Sequence, residues 1–157
     1  MRLTVYTDYS LRLLMYAALK PDGLININEV AEAYGISRNH LTKVVHQLGL
    51  AGYLTTVRGK GGGLRLARMP DSIRIGDVVR QTEPDMALTP CFKPISAPCA
   101  IFPACLLKGA LDEARAAFMR VLDGYTLADL TAAPASSLRT LLGMTVVASP
   151  AKRLRPA

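Results

Sequence analysis

The chain has 157 residues, 50% of them hydrophobic, which suffices for one compact domain with a true core and one appended element. Its net charge of +7 is unevenly spread: residues 37–80 carry eight Lys/Arg against two Asp, whereas residues 81–130 carry four against six Asp/Glu. The positive charge therefore belongs to one module and points to nucleic acid rather than a membrane; no apolar run approaches the roughly 20 residues of a spanning helix, and Asp8 and Arg12 break the first stretch, so neither an export signal nor an anchor is expected.

Leu11, Leu14, Met15, Ala18 and Leu19 recur at helical spacing, which predicts a scaffold helix opened near Thr7 or Asp8 and closed before Pro21-Asp22-Gly23. Asn28 is read as the N-cap of a helix over Glu29 to Tyr34 with Gly35 as its stop, and Ser37 as the cap of a second helix reaching about Leu48. Two short helices joined through Gly35 make a helix-turn-helix. On the second, Leu41, Val44, Val45 and Leu48 form an apolar stripe opposite Asn39, Lys43 and His46. Ser37, Arg38, Asn39 and His40 at its N-terminus, with Lys43, are candidates to reach base edges or phosphates, the helix dipole favouring the latter. The competing reading is a solvated face on an ordinary helical hairpin.

Tyr53 to Val57 and Leu64 to Ala67 flank Arg58-Gly59-Lys60-Gly61-Gly62-Gly63, two short strands around a basic glycine loop. This pattern is a wing, and Arg58, Gly59, Lys60 and Arg65 are its candidate contacts to a phosphate backbone or a narrow minor groove. A nucleotide phosphate loop is the rival, but no Lys-Ser or Lys-Thr closes the glycine run. Ile73 to Arg80 follows as a short strand and helix.

From Thr82 to Ala104 the chain is broken by Pro84, Pro90, Pro94, Pro98 and Pro103, and this segment holds Cys91 and Cys99. Cys105 opens a helix to about Leu122 in which Leu107, Ala110, Leu111, Ala114, Phe118 and Val121 repeat at helical spacing, a face to be covered by a second copy or by the chain itself. These three cysteines are the full complement, and an odd number without an export signal argues for a reducing cytoplasm where thiols bind metal or react. Gaps of seven and five residues suit zinc poorly, with only His40 and His46 to complete a site, but leave an iron–sulfur cluster, a thiol redox switch and inert thiols open. No base-orienting set accompanies a cysteine, so no enzyme is expected. A carrier of iron–sulfur clusters would use the same thiols but needs no wing. Residues 131–157, rich in Ala, Pro and Ser and ending in Lys152, Arg153 and Arg155, read as a flexible basic tail that adds nonspecific affinity for DNA.

Thr7-Asp8-Tyr9-Ser10, Ser37-Arg38-Asn39-His40-Leu41 with Lys43, Gly52-Tyr53, Val57-Arg58-Gly59 with Gly62-Gly63, Ile73-Arg74-Ile75-Gly76-Asp77-Val78-Val79-Arg80 and Pro103-Ala104-Cys105 follow one another over about residues 1–130. This ordered set resembles the NsrR type of repressor, a nitric-oxide sensor in the winged-helix family that also contains IscR. The resemblance implies a mainly α fold with a small β-wing: a winged helix-turn-helix DNA-binding domain over 1–82, a cluster-binding loop over 83–105, a dimerisation helix over 106–130 and the tail. It further implies a homodimer on palindromic double-stranded operator DNA, with nitric oxide as the signal. An iron–sulfur cluster, 4Fe–4S with 2Fe–2S as the alternative, would sit on Cys91, Cys99 and Cys105, with Asp8 of either subunit as fourth ligand. Two departures stand out. Many relatives hold five residues in the first gap, and Leu106-Leu107-Lys108 replaces the histidine that IscR-type proteins carry after the third cysteine, which argues against that variant. A winged-helix regulator answering to oxygen, iron supply or thiol redox state is the alternative.

Overall fold

The computed structural model describes residues 2–21, 23–92 and 99–144. Helix α1 (Val5–Ala18) runs through the middle of the body. Against it pack α3 (Arg38–Leu50), α4 (Ile75–Thr82), α6 (Leu127–Thr131) and strand β2 (Gly63–Leu66). Helix α2 (Ile27–Tyr34) precedes α3, and β1 (Leu54–Val57) pairs antiparallel with β2, Leu54 opposite Leu66 and Val57 opposite Gly63. Ile25 adds a single rung outside β2, exchanging backbone hydrogen bonds with Leu64 at 2.9 and 2.7 Å. The body is thus mainly helical with a two-stranded wing, as expected from the sequence.

Surrounded in this way, α1 buries Thr7, Ser10, Leu13, Leu14, Tyr16 and Ala17, while Leu11, Met15 and Ala18 are only partly covered. The buried face is therefore rotated from the predicted stripe, because two small hydroxyl residues occupy the most crowded side. Both are satisfied there: Ser10 Oγ donates to the Tyr6 carbonyl at 2.8 Å, and the Thr7 and Thr4 hydroxyls lie 3.1 Å apart. Thr4 also accepts the Thr7 N–H, which starts the helix at Val5, upstream of the expected position.

Helix α2 likewise starts earlier than predicted. Its cap is Asn26 rather than Asn28: Asn26 accepts the Glu29 N–H at 2.9 Å, and Glu29 accepts the Asn26 N–H at 3.1 Å. Asn28 has alanine three residues on, so it cannot form this reciprocal pair. Gly35, at φ +63°, closes α2 in the left-handed conformation that favours glycine. The strand expected at Ile73 reduces to one bridge between Arg74 and Thr126, and α4 begins directly after it.

Helix α5 (Leu106–Asp123) buries none of its residues, and Leu106 and Leu107 are 90% and 65% exposed. Beyond α6, helix α7 (Ala135–Leu141) occupies part of the stretch expected as tail. Leu142 and Met144 pack on the core, and Arg139 Nε donates to the Leu19 carbonyl at 2.9 Å, satisfying an acceptor left open where α1 ends. Residues up to 144 thus belong to the folded body, while Lys152, Arg153 and Arg155 lie outside the described residues.

Leu14 is fully buried within the α1 contacts, so Leu14→Ala should lower the unfolding free energy by about 2–5 kcal/mol. Asn26→Ala, which removes only a cap, should cost about 1 kcal/mol. Urea titration followed by circular dichroism measures both, and equal losses would contradict the packing described.

Candidate nucleic-acid interface and cysteine segment

Burial of Leu41, Val44 and Leu48 fixes the rotation of α3. The same rotation exposes Ser37, Arg38, Asn39, His40, Thr42, Lys43, His46 and Gln47. Ser37 occupies the cap position but makes no side-chain cap bond, so its hydroxyl is left for another partner. The His40 ring stands 6.1 Å from that of Tyr9 on α1. An open groove of about 530 Å³, lined by Thr42, Val45 and His46 on one side and Thr55 and Thr56 on the other, separates α3 from β1.

Three of the cations between residues 37 and 80 are engaged within the fold. Arg68 lies 4.9 Å over the Tyr53 ring and donates to the Ala51 carbonyl, Arg74 donates to the Asp123 carbonyl, and Arg80 pairs with Asp77 and Asp123. The other five, Arg38, Lys43, Arg58, Lys60 and Arg65, are exposed and make no ion pair among the described residues. All five lie on α3 or the wing. The wing tip depends on its glycines: Gly59 sits at φ +105°, and a Cβ on Gly62 would run into the Val57 carbonyl. Gly59 accordingly shapes the loop that presents Arg58 and Lys60.

The cysteines flank the start of α5. Cys91 sits in a single 3-10 turn over Pro90–Phe92, half-buried, with its Sγ 3.0 Å from Thr89 Oγ1. Cys99 is exposed, and half-buried Cys105 holds the cap position of α5 after a second such turn over Phe102–Ala104. None is in a disulfide. The Lys108 ammonium lies 5.6 Å from the Phe92 ring centre and 5.5 Å from that of Phe102, and Arg115 lies 5.3 Å over Phe92. These contacts tie both flanks of the loop to α5, worth about 0.5–1 kcal/mol each at an exposed site. Pro94 and Pro98 lie outside the described residues.

Asp8, in the first turn of α1, accepts a hydrogen bond from Arg12 Nε at 2.9 Å, and the Arg12 guanidinium lies 5.8 Å over the Tyr34 ring of α2. Among the described residues, no three metal-binding side chains gather around one point, so Asp8 and the cysteines of a single chain do not form a closed site. The donors themselves fit iron: three free thiols on one segment supply the soft sulfur ligands that iron–sulfur clusters use. Arg12 belongs to none of the site motifs in the sequence, although its place four residues after Asp8 signals the pair. The Lys108 contacts to Phe92 and Phe102 had no comparable pattern.

The profile of the Rrf2 family, described as iron-dependent transcriptional regulators, matches residues 3–133. The HTH-type transcriptional regulator NsrR of Shouchella clausii is 53% identical over 131 residues, covering 83% of this chain and 88% of the relative. NsrR of Bacillus subtilis shows the same identity over 83% of this chain and 90% of its own length. Among solved structures, CymR, the global cysteine regulator of B. subtilis, superposes with a TM-score of 0.68 at 28% identity, over 84% of this chain and 97% of that one. IscR of T. potens gives 0.67 at 25% identity, over 84% and 87%.

The exposures rank the thiols. In metal-free, reduced protein, iodoacetamide should alkylate Cys99 several-fold faster than Cys91 or Cys105, as read by peptide mass spectrometry over time. Cys91 reacting first would contradict its shielded position beside Thr89.

Proposed function

The chain belongs to the Rrf2 family, among its NsrR relatives, and from that membership we propose that it is a homodimeric, cytoplasmic DNA-binding repressor that senses nitric oxide through an iron–sulfur cluster. It is a transcriptional regulator rather than an enzyme, in keeping with its relatives' names. The observation that carries this reading is one of placement: between residues 37 and 80, every cation without an ion pair, ring contact or side-chain hydrogen bond among the described residues sits on α3 or the wing, and three free thiols precede a helix that buries none of its residues fully.

Ser37, Arg38, Asn39, His40 and Lys43 enter the major groove from the N-terminal half of α3, while Arg58, Lys60 and Arg65 meet phosphates from the wing. A second copy covers the exposed leucines of α5, which places two recognition helices on half-sites one duplex turn, about 34 Å, apart. No helix among the described residues is long and apolar enough to cross a membrane.

Cys91, Cys99 and Cys105 would hold the cluster, with Asp8 of either subunit as fourth ligand. When bound, the group, 4Fe–4S or alternatively 2Fe–2S, would supply iron able to react with nitric oxide, and Asp8 would give that iron an oxygen ligand in place of a fourth thiolate. Asp8 then has two alternative partners. As a ligand it would be withdrawn from Arg12, and without the cluster it pairs with Arg12, whose guanidinium lies over Tyr34 at the end of α2, while neighbouring Tyr9 lies beside His40 at the start of α3. The state of one carboxylate thus bears on both helices of the reading pair. Loss of about 1.4 kcal/mol of contact there weakens binding tenfold.

The direct test is a gel shift with anaerobically prepared protein before and after stoichiometric nitric oxide. Tight binding before and release after is expected, and unchanged binding overturns the sensor reading. Replacing Cys91, Cys99 or Cys105 with Ala should abolish regulated release, and Asp8→Ala should alter the cluster's absorption spectrum. Release on thiol oxidation by protein lacking iron and sulfide would instead favour a thiol-based regulator. The wing carries a separate expectation: Arg58→Ala or Lys60→Ala should each flatten the dependence of log binding constant on log salt concentration by about 0.9, leaving sequence preference intact.

A further inference from the structure

Helix α5 buries none of its residues fully; Met119 and Leu122 in its last turns pack partly on the core, and its end is clamped. Arg80, near the end of α4, donates to both carboxylate oxygens of Asp123, at 2.7 and 2.6 Å, and Arg74 donates to the Asp123 carbonyl at 3.0 Å. The turn that follows is stapled to the start of α4 by backbone bonds, Ile75 N–H to Tyr125 O at 2.9 Å and Leu127 N–H to Ile73 O at 2.8 Å. Beneath the ion pair lies Gly76, buried in α4: the Asp123 carboxylate occupies the space where a Cβ would project. Helix α4 is itself immobilised by Val78 and Val79, which are fully buried in the core.

We infer that the Arg80–Asp123 pair, seated on Gly76, sets the angle at which α5 leaves the winged module, and thereby the half-site spacing that a dimer accepts; this rests on the dimer reading above. An ion pair whose members are 47% and 35% exposed contributes little to stability. A two-bond guanidinium–carboxylate fork is nevertheless directional, fixing the plane and distance of its partners. The hydrogen bonds from Arg80 also hold the Asp123 carboxyl below the usual carboxylate range, so the pair stays charged further into acid than a free aspartate would. Direction matters here because α5 is a lever. Its 18 residues span about 27 Å, so a tilt of about 7° moves its far end about 3 Å, close to the rise of one base pair. Two-fold symmetry applies the same tilt twice. Arg80, Asp123 and Gly76 are positioning residues: they touch no DNA themselves.

Two variants strike the junction by different chemistry. Asp123→Asn removes the charge, whereas Gly76→Ala introduces a methyl group into the carboxylate's space while favouring the α4 helix, since glycine is the poorer helix former. Each is tested on a duplex selected by the wild-type protein from a random library, on the same half-sites with one central base pair added or removed, and on an unrelated duplex. Both variants should lose about tenfold on the selected duplex, retain wild-type affinity for the unrelated one, and prefer an altered spacing. Arg80→Lys, which keeps charge but not the fork, should shift spacing preference in the same direction. Unchanged preference, or equal loss on every duplex, overturns the role assigned to the junction. Sedimentation of the wild-type protein separates the two readings: a dimer with indifferent variants defeats the junction alone, whereas a monomer defeats the dimer reading and the junction with it.

Discussion

The enclosure of α1 is the constraint from which the rest follows. A helix flanked by α3, α4, α6 and β2 cannot turn or slide without opening several contacts at once, because close-packed interiors do not deform continuously. Its ends are also held. At the start, the Glu83 carboxylate accepts from the Thr4 N–H at 2.8 Å and from its hydroxyl at 3.1 Å; at the finish, Arg139 binds the Leu19 carbonyl. What remains adjustable on α1 is the partly exposed set of Asp8, Tyr9 and Arg12. Those side chains can change partner while the backbone stays put, and two of them already touch α2 and α3.

The same economy governs the charges. A count over residues 37–80 treats every cation alike, yet Arg68, Arg74 and Arg80 serve the architecture: one steadies the approach to β1 and two fasten α4 to the end of α5. The remaining five form a narrower and more consistent surface than the net charge suggests. Their arrangement also depends on uncharged residues. Gly62 and Gly63 let the chain pass close to the Val57 and Ile25 carbonyls, so a side chain at either would displace the wing and with it Arg58 and Lys60.

How much could be read in advance depended on whether the signal was local. Helix α3, its buried stripe and the wing were legible because periodicity, a glycine stop and a glycine-rich turn all act within a few residues. The start of α2 is ambiguous in local pattern between two asparagines and is decided by what stands three positions later, glutamate after Asn26 and alanine after Asn28. The buried face of α1 departs from its apolar stripe because hydrophobicity ranks Thr7 and Ser10 as surface residues, and only the nearness of several neighbours makes small size decisive. Helix α7 has no such local signal: the docking of its segment rests on Arg139 meeting an acceptor 120 residues earlier and on Leu142 and Met144 reaching the core. The thiols were visible as a set, but the Lys108 contacts that draw Phe92 and Phe102 onto α5 required the folded chain.

These features give the two ends of α5 opposite characters. At Asp123 the helix is joined to the DNA-reading module by a charged fork and backbone bonds, so motion of the module and of the helix end is shared. At Cys105 it begins in a proline-rich segment secured by cation–ring contacts that are individually weak. A chemical event at the thiols therefore acts where resistance is low, and its effect is delivered where the connection is stiff. A sensor placed at the stiff end would have to break the fork and the staples before anything moved. Under the proposed function, the sulfur donors and the unburied start of α5 occupy the end at which modest ligand chemistry can redirect the helix, and the clamp at Asp123 converts that redirection into a change of separation between two recognition helices.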